Sequence, residues 1–225
     1  YIGMRQLFID TANLDEISSA CRRGIISGAT TNPSLMSKEP KADYVGHMQK
    51  IAAICEKYNN IPLSVEVFAT DQNEIYDQAL QLEEDIGYDN LNIKIPVGFD
   101  ELETINKLNA AGVRVNCTCC FTTSQLNLAA AAGARYVSFF YNRAKDSGED
   151  EFRTLDDASQ FIKSNKLNCE IIAGSIRTPK DITDAWSAGA NIVTAGYDVV
   201  KAGTTHPGTQ ASVDQFLTDF KEWIN

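Results

Sequence analysis

Apolar residues recur along this chain at two spacings that take turns. Short runs alternate apolar and polar with the period of two of a β-strand. Between them, apolar positions fall three or four apart, as along one side of a helix. The first run, Gln6–Thr11, predicts a strand ending near Asp10. Asn13 then reads as an N-cap with Glu16 at capping-box spacing, and Ile17, Ala20 and Cys21 make a buried stripe. Ile26–Thr31 predicts a second strand, turned by Asn32-Pro33-Ser34, and Tyr44–Tyr58 a helix packed through Val45, Met48, Ile51, Ala52 and Cys55. Strand alternation returns at Leu63–Phe68, Leu91–Pro96, Val113–Cys119, Tyr136–Phe140, Cys169–Gly174 and Asn191–Gly196. Helical spacing fills the gaps at Asn73–Glu84, Asp100–Ala110, Thr123–Ala132, Leu155–Asn165 and Pro179–Ser187. Asn142–Glu151 is polar and charged and reads as a long loop. Thr209–Trp223 reads as an amphipathic helix, apolar through Val213, Phe216, Leu217, Phe220 and Trp223.

Eight strands, most followed by a helix, predict a (β/α)8 TIM barrel. Ala111-Gly112, Gly133-Ala134 and Gly189-Ala190 each stand between a helix and the next strand, as a repeated parallel unit requires. The alternative is a doubly wound sheet. That fold carries a glycine-rich phosphate loop after its first strand, and neither Asp10-Thr11-Ala12 nor the Ser27–Pro33 turn has that spacing. The expected organisation is one barrel over residues 4–225, with Tyr1-Ile2-Gly3 ahead of Met4 as an added remnant.

At 225 residues the chain is long enough to bury a full core without disulfides or metal. Its net charge of −10 counts against a general nucleic-acid binder, while leaving room for a local basic pocket. The six cysteines, Cys21, Cys55, Cys117, Cys119, Cys120 and Cys169, sit in regular elements without paired ligand spacing. They read as reduced structural thiols of a cytoplasmic protein, and no signal peptide or membrane-spanning run is expected. Cys117 and Cys119 are expected on one strand face. His47 falls in a helix, away from the strand ends, and His206 in a loop without an identifiable partner. No HExxH, EF-hand or Walker pattern is present, so no metal and no cofactor is expected.

In a barrel, catalytic groups gather at the carboxyl ends of the strands. Polar residues fall there on most strands of this chain: Asp10, Asn32, Glu66, Lys94, Asn116 with Thr118, Ser138 and Ser175. Each alone has a structural explanation. Asp10 can cap a helix, Asn32 can fix an Asx turn, and Lys94 can hold its head in water at a strand mouth. Together they are harder to explain as packing, because burying this many polar groups uncompensated costs several kcal/mol. A buried Lys94 favours the neutral amine, which attacks a ketone to form a Schiff base. The iminium then draws electrons from an adjacent carbon–carbon bond. Asp10 and Glu66 are acids of a type that moves protons at the substrate hydroxyl, and Thr118 is placed to hold a water. Arg143 and Ser175-Ile176-Arg177 follow the sixth and seventh strands, where barrels commonly bind phosphate.

With these residues in view, the sequence resembles the transaldolase family, including its short fructose-6-phosphate-aldolase-like members. The marks are FIDTAN at Phe8–Asn13, ATTNPS at Ala29–Ser34, KIP at Lys94–Pro96, NCT at Asn116–Thr118, SFFYNR at Ser138–Arg143 and GSIR at Gly174–Arg177. The resemblance implies a (β/α)8 barrel without a cofactor, in which Lys94 forms the Schiff base and Asp10 moves the proton at the C4 hydroxyl. It implies that Glu66 and Thr118 order the catalytic water. Asn32 and Asn116 would hold the dihydroxyacetone portion, Ser138 its terminal hydroxyl, and Arg143, Ser175 and Arg177 a phosphate. Short members are often rings of five subunits or pairs of rings, so a homo-oligomer acting on sugar phosphates is expected. Aldolase-like members tend to carry glutamine and tyrosine where this chain has Glu66 and Phe140. The expected reaction is therefore sedoheptulose 7-phosphate plus glyceraldehyde 3-phosphate giving erythrose 4-phosphate plus fructose 6-phosphate. Release of free dihydroxyacetone, or action on an unusual ketose such as a sulfonated one, are the alternatives.

Overall fold

Eight parallel strands close on themselves in sequence order in a computed structural model that describes residues 4–225. The remnant expected at residues 1–3 lies outside the described residues. The strands are β1 (Gln6–Asp10), β2 (Ala29–Thr30), β3 (Leu63–Glu66), β4 (Leu91–Pro96), β5 (Val115–Cys120), β6 (Tyr136–Phe140), β7 (Glu170–Gly174) and β8 (Ile192–Ala195). β8 returns to β1 with Ile192 opposite Gln6 and Ala195 opposite Ile9. The helices are α1 (Leu14–Arg22), α2 (Pro33–Met36), α3 (Tyr44–Lys57), α4 (Gln72–Ile86), α5 (Phe99–Ala110), α6 (Thr123–Ala132), α7 (Tyr141–Asp146), α8 (Glu151–Ser164), α9 (Pro179–Ala188), α10 (Tyr197–Ala202) and α11 (Pro207–Ile224). The predicted (β/α)8 barrel is the fold.

Strand alternation divides the molecule into two layers of core. Leu91, Ile93 and Ile95 of β4 belong, fully buried, to the large cluster shared with the helices. Burying each such side chain stabilises the fold by about 1.5–3 kcal/mol. A second, smaller cluster joins Phe8, Tyr136, Ile172 and Ile192. Two residues further along the same strands stand Asp10, Ser138, Gly174 and Thr194, all of which line a cavity. A period of two keeps both sets on one face, so an apolar floor lies beneath a polar mouth. Gly28 belongs to this floor: a Cβ there would lie 2.5 Å from the Phe8 ring.

Helix starts are fixed by side chains. Thr122 forms a reciprocal capping box with Gln125 at α6, and Thr178 does so with Asp181 at α9, where Pro179 supplies the first turn. At α1 only half of the expected box forms. Asn13 Oδ1 accepts from Glu16 N at 3.0 Å, but the Asn13 N–H is taken by Thr11 Oγ1.

Several expectations are corrected. β2 pairs through two residues, Ala29 and Thr30, instead of six, although Ser27 and Thr31 on either side still donate to the Leu7 and Ser64 carbonyls. Asn32-Pro33-Ser34 does not merely turn: Asn32 caps the short α2 through Leu35 N at 2.9 Å. The expected loop Asn142–Glu151 begins inside α7 and ends at the first residue of α8, and α10 was not foreseen. Cys117 and Cys119 do not continue one strand face, since a bulge lets Cys120 pair with Phe139 and leaves Cys119 at φ 63°. His47 is structural but not remote: its Nε2 meets the Ala12 carbonyl at 2.8 Å, just past Asp10. His206 does have a partner, as the N-cap of α11 through Gly208 N.

Candidate active site

The cavity opens at the carboxyl ends of the strands and brings together Asp10, Asn32, Lys94, Ser138, Arg143 and Ser175 from five strands or the turns that follow them. β4 is flanked by β3 and β5, so Glu66, Lys94 and Asn116 lie opposite one another in register, with Thr118 opposite Pro96. Lys94 is 6% exposed. Its Nζ donates to the Thr31 carbonyl at 2.9 Å and stands 3.8 Å from Glu66 Oε1. The solvated lysine that the local sequence left open is therefore not what the fold builds.

The buried polar groups sort into two networks beside this lysine. Ser138 Oγ donates to Asn116 Oδ1 at 2.7 Å, and Asn116 Nδ2 donates to Ser64 Oγ at 3.1 Å. Thr30 Oγ1 donates to Asp10 Oδ1 at 2.8 Å and lies 2.6 Å from Thr194 Oγ1. A threonine has one hydroxyl proton. Thr30 commits its proton to Asp10, so Thr194 is the donor to Thr30. Thr118 Oγ1, by contrast, is fully buried without a hydrogen-bond partner among the described residues. A buried hydroxyl left in this way is costly unless something completes it.

Both carboxyl groups are perturbed in the same direction. Burial pushes Asp10 up, against the opposing pull of Lys94, the Thr30 hydroxyl and Lys38. Burial likewise pushes Glu66 up, against the charge of Lys94. Carboxyls raised in this way give and take protons more readily at physiological pH than ordinary ones. Glu66 is also fixed from outside, since its carbonyl accepts from the Tyr44 hydroxyl at 2.9 Å.

The three residues expected to hold an anion are only partly brought together. Arg143, in the first turn of α7, and Ser175, after β7, both line the cavity, and the Arg143 guanidinium lies over the Phe140 ring at 5.4 Å. Arg177 does not line it. Its guanidinium is paired with Asp146 at 2.7 Å, where both side chains are exposed. Glu66 on β3, and Asn116 and Thr118 on β5, flank the Lys94 strand on its two sides and are likewise outside the cavity lining. Thr30 and Thr194 line the cavity and were missed. The sequence carries no clear signal for them, because threonine is an ordinary strand residue. Among the described residues no group of three or more His, Cys, Asp or Glu stands ready to share a metal.

The family model for transaldolase/fructose-6-phosphate aldolase matches residues 7–224. A probable transaldolase of Roseiflexus sp. (strain RS-1) is 36% identical over 97% of this chain and 98% of its own length. A probable transaldolase of Dehalococcoides mccartyi is 37% identical over 96% of this chain and 98% of its own. A probable transaldolase of Clostridium acetobutylicum is 36% identical over 98% and 99%. With a closed barrel, a buried lysine on its fourth strand and matches that run almost end to end, the chain belongs to the transaldolase/fructose-6-phosphate aldolase family.

Proposed function

We propose that this protein is a transaldolase that carries a dihydroxyacetone unit from sedoheptulose 7-phosphate to glyceraldehyde 3-phosphate. The observation that carries the reading is Lys94, buried on β4 between the Thr31 carbonyl and Glu66 and facing the cavity that holds Asp10. The Lys94 amine attacks the ketone carbonyl, and the carbinolamine hydroxyl leaves as water on taking a proton handed on from Glu66, which gives an iminium. Asp10 accepts the proton of the C4 hydroxyl as the C3–C4 bond breaks, and the electron pair moves into the iminium to give an enamine. The aldose product leaves. The enamine carbon attacks the acceptor aldehyde, Asp10 returns its proton to the new hydroxyl, and water releases the product from Lys94.

The remaining roles follow the same geometry. Glu66 and the unpartnered hydroxyl of Thr118 order the water. Asn32 and Asn116 hold the dihydroxyacetone hydroxyls, and Ser138 the terminal one. Arg143 and Ser175 receive the phosphate, joined by Arg177 when it leaves Asp146. The exposed Asp146–Arg177 pair is weak enough for a dianion to displace it.

Residues 4–225 form one catalytic unit that assembles into a homo-oligomer, a ring of five or a pair of rings. Support comes from α11, whose Phe216 and Trp223 are 69% and 81% exposed and whose Phe220 stacks on Trp223. Among the described residues no helix is long and apolar enough to cross a membrane. All six cysteines are free thiols, which supports a cytoplasmic setting.

The test is intact mass after borohydride reduction with fructose 6-phosphate, with and without an aldose acceptor. The expected result is one trapped three-carbon adduct, lost in Lys94→Ala and depleted when the acceptor is present. No adduct would overturn the Schiff base. Turnover of fructose 6-phosphate alone at the rate of transfer would replace transaldolase by aldolase.

A further inference from the structure

Asn142 is used by none of these roles, yet its side chain is fully committed beside the cavity mouth. It lies in the first turn of α7, next to Arg143, and is 7% exposed. Both protons of its amide are spent across the mouth. Nδ2 donates to the Ser175 carbonyl at 2.7 Å and to Asp181 Oδ2 at 2.8 Å. The same Asp181 oxygen accepts from the backbone N–H groups of Arg177 and Thr178, each at 3.0 Å. Ser175 itself sits at φ 56°, a left-handed conformation that a residue with a Cβ keeps only when its surroundings hold it. The bond from Asn142 to its carbonyl is such a hold.

We propose that Asn142 is a positioning residue for the anionic end of the substrate, tying the turn that carries Arg143 to the turn that carries Ser175. The tie fixes the spacing between a guanidinium on one strand end and a hydroxyl on the next, so both meet one phosphate. It rests on the reading of Arg143 and Ser175 as the anion-binding pair. An amide suits the place because it donates two N–H groups without adding charge beside Arg143. An aspartate would set a second carboxylate against Asp181 and the Ser175 carbonyl. An apolar residue would leave both acceptors without their donor. Asn142 acts only through the residues it holds, so its effect falls on substrates that carry the charge.

The test compares Asn142→Ala, Asp181→Ala and Arg143→Ala with the wild-type enzyme. Acceptors are glyceraldehyde 3-phosphate and unphosphorylated glyceraldehyde, and inorganic phosphate is titrated as a competitive inhibitor. Asn142→Ala should raise the KM for glyceraldehyde 3-phosphate and the inhibition constant for phosphate about tenfold, the scale of one well-made hydrogen bond. The kinetic constants for glyceraldehyde should change less than about twofold by the same reasoning. Asp181→Ala breaks the tie from its other end and should shift the same two constants in the same direction, which keeps the test open if Asn142→Ala fails to fold. Equal losses with both acceptors, or a fall in thermal midpoint with neither constant moved, would overturn the tie. If Arg143→Ala moves the phosphate constants and Asn142→Ala does not, the tie alone is wrong. If Arg143→Ala also leaves them unmoved, the anion-binding pair is wrong and the tie falls with it.

Discussion

Thr30→Val tests whether the hydroxyl beside Asp10 sets the working range of the enzyme. Valine keeps the β-branched outline of threonine, so the buried site stays filled while the donor to Asp10 is removed, and the Thr194 hydroxyl loses Thr30 as its acceptor. Thr30 Oγ1 donates to Asp10 Oδ1 at 2.8 Å, and the bond favours the ionised carboxylate. A hydrogen bond to a charged group contributes about 1.5–3 kcal/mol. Without it, burial pushes the Asp10 carboxyl up less opposed, with Lys94 and Lys38 as the remaining counterweights. The carboxyl then holds its proton to higher pH, and the base proposed to accept the C4 hydroxyl proton is missing over a wider acidic range. The acid limb of kcat/KM should therefore move to higher pH. On that limb the rate should fall roughly ten- to a hundredfold, the same energy expressed as a rate. The assay is a pH profile of kcat/KM for cleavage of fructose 6-phosphate in the presence of an acceptor. Thr30→Ser keeps the hydroxyl and should restore the wild-type limb. A Thr30→Val limb superimposable on the wild type would refute the role given to this bond, and so would a Thr30→Ser enzyme that behaves like the valine variant.

Other consequences are open to equally direct measurement. Asp10→Asn should abolish transfer yet raise Tm at neutral pH by roughly 2–4 °C per kcal/mol gained. A carboxyl raised by burial stabilises the fold only while protonated, so this gain should vanish below the ordinary carboxylate range, where Asp10 is neutral folded and unfolded alike. Glu66→Gln removes the carboxylate beside Lys94 and should raise free dihydroxyacetone release relative to transfer severalfold, read by product analysis with and without acceptor. Phe220→Asp combined with Trp223→Asp puts charge on the apolar side of α11. It should give a smaller species in light scattering while far-UV dichroism keeps the barrel signal, and an unchanged mass would refute assembly through this helix.

Much of the fold was legible because each element announces its own ends. α6 and β6 lie where the sequence places them: Thr122 and Gln125 open the helix, and Gly133 closes it with φ 111°. β2 was misjudged because Ile26 keeps strand-like alternation without a place in the sheet, and the ladder proper covers only Ala29 and Thr30 although the Ser27 N–H already reaches the Leu7 carbonyl. α7 and α10 were missed because six residues give too few turns for helical spacing to register. In the site, Lys94, Asp10 and Asn116 stood out as charged or amide groups in apolar strands. Thr30 and Thr194 did not, because threonine is an ordinary strand residue and its partners come from other strands. Asn142 could not be read at all. Its role depends on Ser175 and Asp181, which the pairing of β6 with β7 brings beside it.

The brevity of β2 bears on how the barrel breathes. Its seam is joined through a handful of amides, among them Ile9 and Thr11 to the Gly28 and Thr30 carbonyls, and Ala29 and Thr31 to those of Pro62 and Ser64. A seam with few ladder bonds opens locally at lower free energy than the longer pairings around β4 and β6. Deuterium should therefore enter at Thr11 and Thr31 before it enters β4 or β6. These same residues border the machinery, since Thr30 holds Asp10 and the Thr31 carbonyl holds Lys94. A substrate joined to Lys94 and hydrogen-bonded to Asp10 spans the seam, so exchange there should slow on trapping while the far strands keep their rates. On the proposed chemistry, the stave expected to open most easily is thus the one that the bound substrate clasps shut.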